Sequence, residues 1–505
     1  MALGTTANRH SNIGKTATGA AAACLLIAGA VRYFEAPSFW LDEAFIAVSL
    51  KDPSLHALFG RLEYGQLFPR IYLSTIAALR GIFGYEISIL RLLPSLCFAM
   101  ATILWARLMW RRARSQTLAC LLGAALLMGA SAWLDQSIQL KQYTFDVLLA
   151  FVPFLFDDEF FSDALASDRR KTWLIALALP CMLSYTYPMA LGARVGGWYL
   201  YHRRRNGWAL RRSAVTLLLL LVVAGIGVIW LTDHRFNLKD SASYLNYWND
   251  CILRARLRDG PAATLGLLAK FFWGWHGRTP LITAVIVPLQ IAGVYRILRA
   301  WRSREHATGQ SDSEPSGDQR WGSRSLGSLV LLTGVLTASL LVNYPICSGR
   351  VVLFTEFHTQ IPAIEGVLLV LGISKVGRWG KLLLSVFILI VIVQAGVEYA
   401  RVARSEPAEN LRPVVRLIDP RVASVVWVHP CSVAQVRSLP DATPVERVLL
   451  GNKQPQPPRG EKVWVLWSHL GNESCLNSLD KLRSEALQWQ LVVDGPGRGL
   501  ALAEF

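Results

Sequence analysis

Long apolar runs alternating with short clusters of arginine and lysine set the pattern of this chain. A helix crosses the hydrocarbon core of a bilayer with about 20 mostly apolar residues, give or take several. Eleven stretches read as spans on that basis: 18–34, 92–110, 116–133, 143–157, 172–187, 188–202, 213–231, 279–298, 327–343, 357–373 and 381–399. The clearest are SAVTLLLLLVVAGIGVIWL from Ser213 and LLLSVFILIVIVQAGVEY from Leu382, whereas those at 143–157 and 188–202 are short. A further apolar segment, LFPRIYLSTIAALRGIFG (Leu67–Gly84), carries Arg70 and Arg80. It reads as an amphipathic helix in the outer interface, or as a re-entrant piece.

Composition sharpens this picture. Of the 505 residues 53% are hydrophobic and 17% charged, against about a quarter charged in soluble domains. Disorder, collagen and a small disulfide scaffold are excluded. The net charge of +17 admits nucleic acid or anionic lipid as a partner until its location is considered. Twenty of the 52 basic residues fall in the loops after the second, fourth, sixth, eighth and tenth spans. The opposite loops, 134–142 and 344–356, hold only Lys141 and Arg350. Basic residues collect on the cytoplasmic side, so the expected N-terminus is cytoplasmic and the C-terminus extracytoplasmic. A crossing at Leu67–Gly84 would reverse every later loop. The expected location is the cell membrane, and no nucleic-acid partner is needed. Ala28-Gly29-Ala30 loosely fits a cleavage site, but the first span reads as an uncleaved anchor.

The expected fold class is therefore an α-helical polytopic membrane protein with a small extracytoplasmic α/β domain. The domains are 1–399, containing the first outer loop 35–91 and a flexible polar loop at 300–326, and the tail 400–505. Strand-like runs in the tail are Val422–Val428, Lys462–Trp467 and Leu487–Val493, with a helix-like SLDKLRSEAL before the last. Cys24, Cys97, Cys120 and Cys181 lie in spans, while Cys251, Cys347, Cys431 and Cys475 lie outside, where disulfides are permitted. Cys431–Cys475 is the favoured pair, and no metal-spaced Cys/His cluster is present.

Candidate chemistry concentrates in the outer loops. FWLDEAF (Phe39–Phe45) places Asp42 and Glu43 just past the first span. A carboxylate there can deprotonate an acceptor hydroxyl, or simply cap a helix N-terminus. DQSIQLKQYTFD (Asp135–Asp146) carries Lys141 and Tyr143, suited to a phosphate or to an interfacial belt. Arg350, in CSGRVVLFTEFH, is a candidate phosphate clamp or a snorkelling side chain. Two decoys are set aside: Gly14-Lys15-Thr16 lacks the first glycine of a P-loop, and Asp157-Asp158-Glu159 reads as a solvated loop.

FWLDEAF followed by YGQLFPRIYLSTIAALRGIFGYEISILRLLPS (Tyr64–Ser95) resembles the first outer loop of the GT-C membrane glycosyltransferases. The branch is that of protein O-mannosyltransferases and aminoarabinose transferases. The matching elements are Asp42-Glu43, Phe68-Pro69, Phe83-Gly84-Tyr85-Glu86 and Arg91-Leu92-Leu93-Pro94-Ser95, the last with one Leu inserted; Leu140–Tyr143 resembles the second-loop basic-x-Tyr element. The resemblance covers about residues 17–200. It implies Asp42 as general base, Glu43 as its helper, and single displacement with inversion. An outward-facing site cannot draw on cytoplasmic nucleotide sugars, so the expected donor is a polyprenyl-phosphate sugar, its phosphate near Arg91, Lys141, Tyr143 and Arg350. Arg91 has a structural alternative, holding the loop onto the first spans. The acceptor is a glycan, lipid or protein. No cofactor is required and no metal ligand set is legible, although a divalent cation at the phosphate stays open. The rivals from other classes are a flippase for a lipid-linked saccharide and a non-catalytic envelope assembly protein.

Overall fold

The computed structural model describes all residues except 1–2, 55–57, 61, 65, 67, 114–115, 168, 207–209, 235–247, 274–279, 303–316, 347–352, 374–376, 406–409, 440–446, 452, 454–455, 469–472 and 496–497. The chain forms two compact units that do not follow the linear division at 399/400. One comprises Met1–Ala30, Pro94–Ser137 and Gln142–Arg404; the other comprises Val31–Leu93, Ile138–Lys141 and Ser405–Phe505. The segment 35–91 thus belongs with the tail.

The larger unit is helical. Among the described residues six helices are long and apolar enough to cross a membrane: Asn12–Glu35, Ile87–Ala113, Arg212–Thr232, Ala284–Arg302, Trp321–Leu341 and Arg378–Arg404. Other stretches read as spans form shorter helices, Thr117–Met128, Tyr143–Leu155 and Trp173–Met182. At 1.5 Å per residue, a 13-residue helix such as Tyr143–Leu155 covers roughly 20 Å, short of a hydrocarbon core of about 30 Å. Prolines explain part of the shortening: Pro153 lies near the end of Tyr143–Leu155, and Pro180 sits where Trp173–Ala178 tightens into a 3-10 turn. Pro261–Trp273 is a helix that the span pattern did not single out. The polar loop expected at 300–326 is narrower, bounded by helices Pro280–Arg302 and Gly317–Leu341.

Packing in this unit uses small residues and buried polar pairs. A Cβ at Gly293 would collide with the Pro362 carbonyl, and one at Gly366 with that of Leu289, so helices Pro280–Arg302 and Glu356–Gly372 touch backbone to backbone. Gly197 and Gly327 play the same part for Tyr187–Asn206 and Gly317–Leu341. Close approach over small residues is how helices associate where lipid removes the hydrophobic incentive. Trp133 donates to Thr102 Oγ1 at 2.9 Å and Trp105 to Gln360 Oε1 at 3.2 Å, within an aromatic core shared with Phe151 and Phe357. Glu365 ties its own helix to three others: it accepts from Arg112 Nε at 2.6 Å and Ser325 Oγ at 2.7 Å, and pairs with Arg296 at 3.1 Å.

The tail in the smaller unit contains a five-stranded sheet: β1 Val425–Val428, β2 Arg447–Leu450, β3 Lys462–Ser468, β4 Gln488–Gly495 and β5 Arg498–Glu504. The order is β2-β1-β3-β5-β4, with β2, β1 and β3 parallel and β5 and β4 antiparallel. Both faces are covered, so apolar residues occupy every position of β1. Val426 and Val428 join Trp464 and Leu466 over Leu411 and Val433, while Val425 and Trp427 join Val463 and Val465 over Leu479 and Leu482. Buried parallel strands show this unbroken apolar run. The strand runs in the sequence correspond to β1, β3 and β4. Absent from that reading are β2, four residues long, and β5, whose RGLALAE is built from small residues. Cys431 and Cys475 form a disulfide, and Cys24, Cys97, Cys120 and Cys181 are free. Cys251 is also disulfide-bonded, and Cys347 lies outside the described residues.

Candidate functional site

The Asp-Glu pair occupies the first turn of helix Leu41–Ser49 in the smaller unit. Two acidic residues there complement the positive end of the helix dipole. Successive helical residues point about 100° apart, and the two carboxylates have different fates. Glu43 is 1% exposed, whereas Asp42 is half-buried.

Glu43 is held on three sides. Its Oε2 accepts from the Trp40 N–H at 3.2 Å, the reach-back half of a capping box. Its carboxylate is gripped by Arg91, with Nε to Oε1 at 3.1 Å and Nη2 to Oε2 at 2.7 Å. The backbone N–H of Leu140, in the 136–142 segment, donates to Oε1. Arg91 is 2% exposed and also donates to the carbonyls of Pro37 at 2.6 Å and Ser38 at 3.4 Å, with its guanidinium 4.9 Å from the Phe39 ring. These bonds engage four of the five N–H groups that a guanidinium carries. Arg91, expected at the donor phosphate, thus makes its hydrogen bonds to Pro37, Ser38 and Glu43 of the same loop.

The tail buttresses the same helix. The Ser38 N–H donates to Asn410 Oδ1 at 2.9 Å, and Ser38 Oγ accepts from the Leu411 N–H at 2.7 Å. The Tyr85 hydroxyl lies 3.2 Å from the Ala47 carbonyl and 2.9 Å from that of Ser438, linking the acidic helix to tail helix Val433–Ser438. Burial raises the pKa of that phenol, so it stays a donor. Lys51 Nζ donates to the Leu439 carbonyl at 3.0 Å, and Arg437 pairs with Glu63. Lys141 is 4% exposed, its ammonium 3.0 Å from Gln66 Oε1. Tyr143, in the larger unit, begins helix Tyr143–Leu155 and is half-buried against the main core. Arg350 lies outside the described residues.

Several polar residues escaped the sequence reading. Ser38, Gln66, Tyr85 and the Leu140 amide act through contacts distant in sequence, which no local motif announces. In the larger unit Glu356 and His358 are fully buried; neither Glu356 oxygen has a hydrogen-bond partner, and His358 Nδ1 lies 3.0 Å from Ser328 Oγ. Asp158, read as part of a solvated loop, is an ion-pair hub. It accepts from Arg194 at 2.7 Å and from Ser323, with His202 at 2.9 Å. Burial alone would raise its pKa, yet His202, Arg194 and Ser323 outweigh burial and hold the carboxyl well below the usual range. Among the described residues no group of three or more His, Cys, Asp or Glu is placed to hold a metal ion.

The fold and site define a multi-span helical membrane protein whose acidic loop packs with the tail that carries a small mixed sheet. No protein-family model and no curated protein matches the chain. Among solved structures it is similar to the crystal structure of ArnT from Cupriavidus metallidurans in the apo state, at 12% identity and a TM-score of 0.35, covering 95% of this chain and 97% of that one.

Proposed function

We propose that this chain is a glycosyltransferase that moves a sugar from a polyprenyl-phosphate donor to an acceptor hydroxyl on the extracytoplasmic side of the cell membrane. The observation that carries the reading is the division within the acidic pair. Glu43 is locked by Arg91 and the Leu140 amide, and this fixes the neighbouring half-buried Asp42 on a short, rigid helix. A fixed, accessible carboxylate at a helix N-terminus suits a general base. Asp42 removes the acceptor proton, the acceptor oxygen bonds to the anomeric carbon, and the carbon–oxygen bond to the phosphate breaks. The bonding pair leaves with the polyprenyl phosphate, and attack opposite the leaving group inverts the anomeric centre. Lys141, Tyr143 and Arg350 are assigned to the phosphate, where cations stabilise the developing charge. Arg91 and Glu43 are positioning residues in this scheme.

The test is Asp42→Asn in purified protein, assayed for release of polyprenyl phosphate from labelled donor. Loss of a general base costs about 10²- to 10⁴-fold, with thermal stability expected to stay at the wild-type value. Transfer at the wild-type rate would overturn the base assignment. A wild-type protein that carries the lipid-linked sugar across vesicle bilayers without transferring or hydrolysing it would place the chain among flippases.

A further inference from the structure

The larger unit contains a cavity of about 710 Å³ that no part of the proposed reaction uses. Gln290, Val294, Leu298 and Trp301 line it from helix Pro280–Arg302, at helical spacing along one face. Leu326, Val330, Thr333 and Thr337 form the matching stripe on helix Gly317–Leu341. From its first to its last residue, eleven rises of 1.5 Å, either stripe spans roughly 16 Å. That is about one leaflet, half of a hydrocarbon core of about 30 Å. Gly334 borders the cavity, and a Cβ there would meet nothing within 4 Å.

The two ends of this groove differ in charge. Leu326 packs with Ile297 and Tyr201, with Trp301 and Leu329 beside them, which fixes the end where the two helices approach their polar loops. Trp301 is anchored there by a 3.0 Å bond from its indole N–H to the Leu200 carbonyl. Arg299 and Arg302 stand exposed in the last turn of Pro280–Arg302, and Arg203 stands exposed near the end of Tyr187–Asn206. Nearby acidic groups are already committed, Glu365 to Arg112 and Arg296, and Asp158 to Arg194 and His202. Among the described residues no acidic side chain pairs with Arg299 or Arg302. The distribution of basic loops assigns this end to the cytoplasmic surface.

We propose that the groove is a binding site for an anionic phospholipid of the inner leaflet, one acyl chain lying along the two stripes and the phosphate meeting Arg299, Arg302 and Arg203. An apolar trough one leaflet long, ending in an indole and several guanidiniums, matches one lipid in length and in charge. Basic pockets between helices on the cytoplasmic side bind such headgroups. A long polyprenyl chain would exceed the length of the trough.

Native mass spectrometry of the full chain in detergent, titrated with phosphatidylglycerol and with phosphatidylcholine, tests the site. The expected result is preferential retention of phosphatidylglycerol. Arg299→Gln with Arg302→Gln, both exposed and remote from the core, should weaken it by roughly thirty-fold, two cations' worth of surface attraction. Gly334→Leu should block retention of either lipid. Equal retention of both lipids by the wild type, or a preference that survives the double substitution, overturns the proposal. So does stoichiometric displacement of phosphatidylglycerol by polyprenyl phosphate, which would give the groove to the donor.

Discussion

Adjacent carboxylates at 42 and 43 look interchangeable in sequence, and the fold separates them. Removing one member of a buried, hydrogen-bonded pair leaves the other charge stranded, at about 3–5 kcal/mol. Glu43→Ala should therefore lower the thermal stability of the purified protein and expose the 31–93 loop to protease, whereas Asp42→Asn, which keeps the shape of the side chain, should do so far less. Equal protease resistance in the two variants would contradict the clamp seen between Glu43 and Arg91. Glu356 offers the converse case. A buried carboxyl without a partner is costly to keep charged, so Glu356→Gln should leave stability unchanged or raise it, as read by thermal unfolding. A clear fall would show that the carboxyl holds a partner in solution. The sequence announced Asp42 and Glu43 through their placement after a span. It could not announce their different burial, because that depends on Arg91, 48 residues away, and on the Leu140 amide, 97 residues away.

Elements were legible where a repeating pattern had room to declare itself. The long apolar helices and strands β1, β3 and β4 stand out because burial on one stripe or on both faces imposes a period over many residues. Helices broken by Pro153 or Pro180 read as longer than they are, and β5 was lost among small residues whose burial comes from neighbouring strands. The 44-residue separation of Cys431 and Cys475 gives that cross-link weight in the tail. Closing such a loop restricts the unfolded chain by about 4 kcal/mol in the chain-entropy view. Cys475→Ser should make residues 405–505 markedly easier to digest, and unchanged digestion would show that the sheet stands without the link. His429 adds a pH dependence. Burial holds its pKa down at about 4, and the neutral ring accepts the Cys431 N–H at 3.3 Å. Unfolded imidazole takes up its proton near pH ~6.5. The stabilisation is therefore complete above that pH and is lost as pH falls from there through about 4. Protease resistance of the tail should decline across this window, and His429→Gln should flatten the decline.

At the scale of the whole molecule, the 31–93 loop and the tail form one compact unit built from segments far apart in sequence. Removing residues 405–505 should abolish transfer and loosen the 31–93 loop, because Ser38, Lys51 and Tyr85 lose their partners. A truncated protein that still released polyprenyl phosphate at the full rate would mean that the tail serves acceptor recognition alone. This pairing also places a delay in the life of the chain. About 310 residues separate Leu93 from Ser405, which at ~5–20 residues per second occupies a ribosome for roughly 15–60 s. Through that interval the acidic loop lacks the tail residues that hold Ser38, Lys51 and Tyr85. Pulse-labelled chains should show a protease-sensitive loop until residues 405–505 have emerged, so the loop stays unsupported for most of the time these 505 residues take to make.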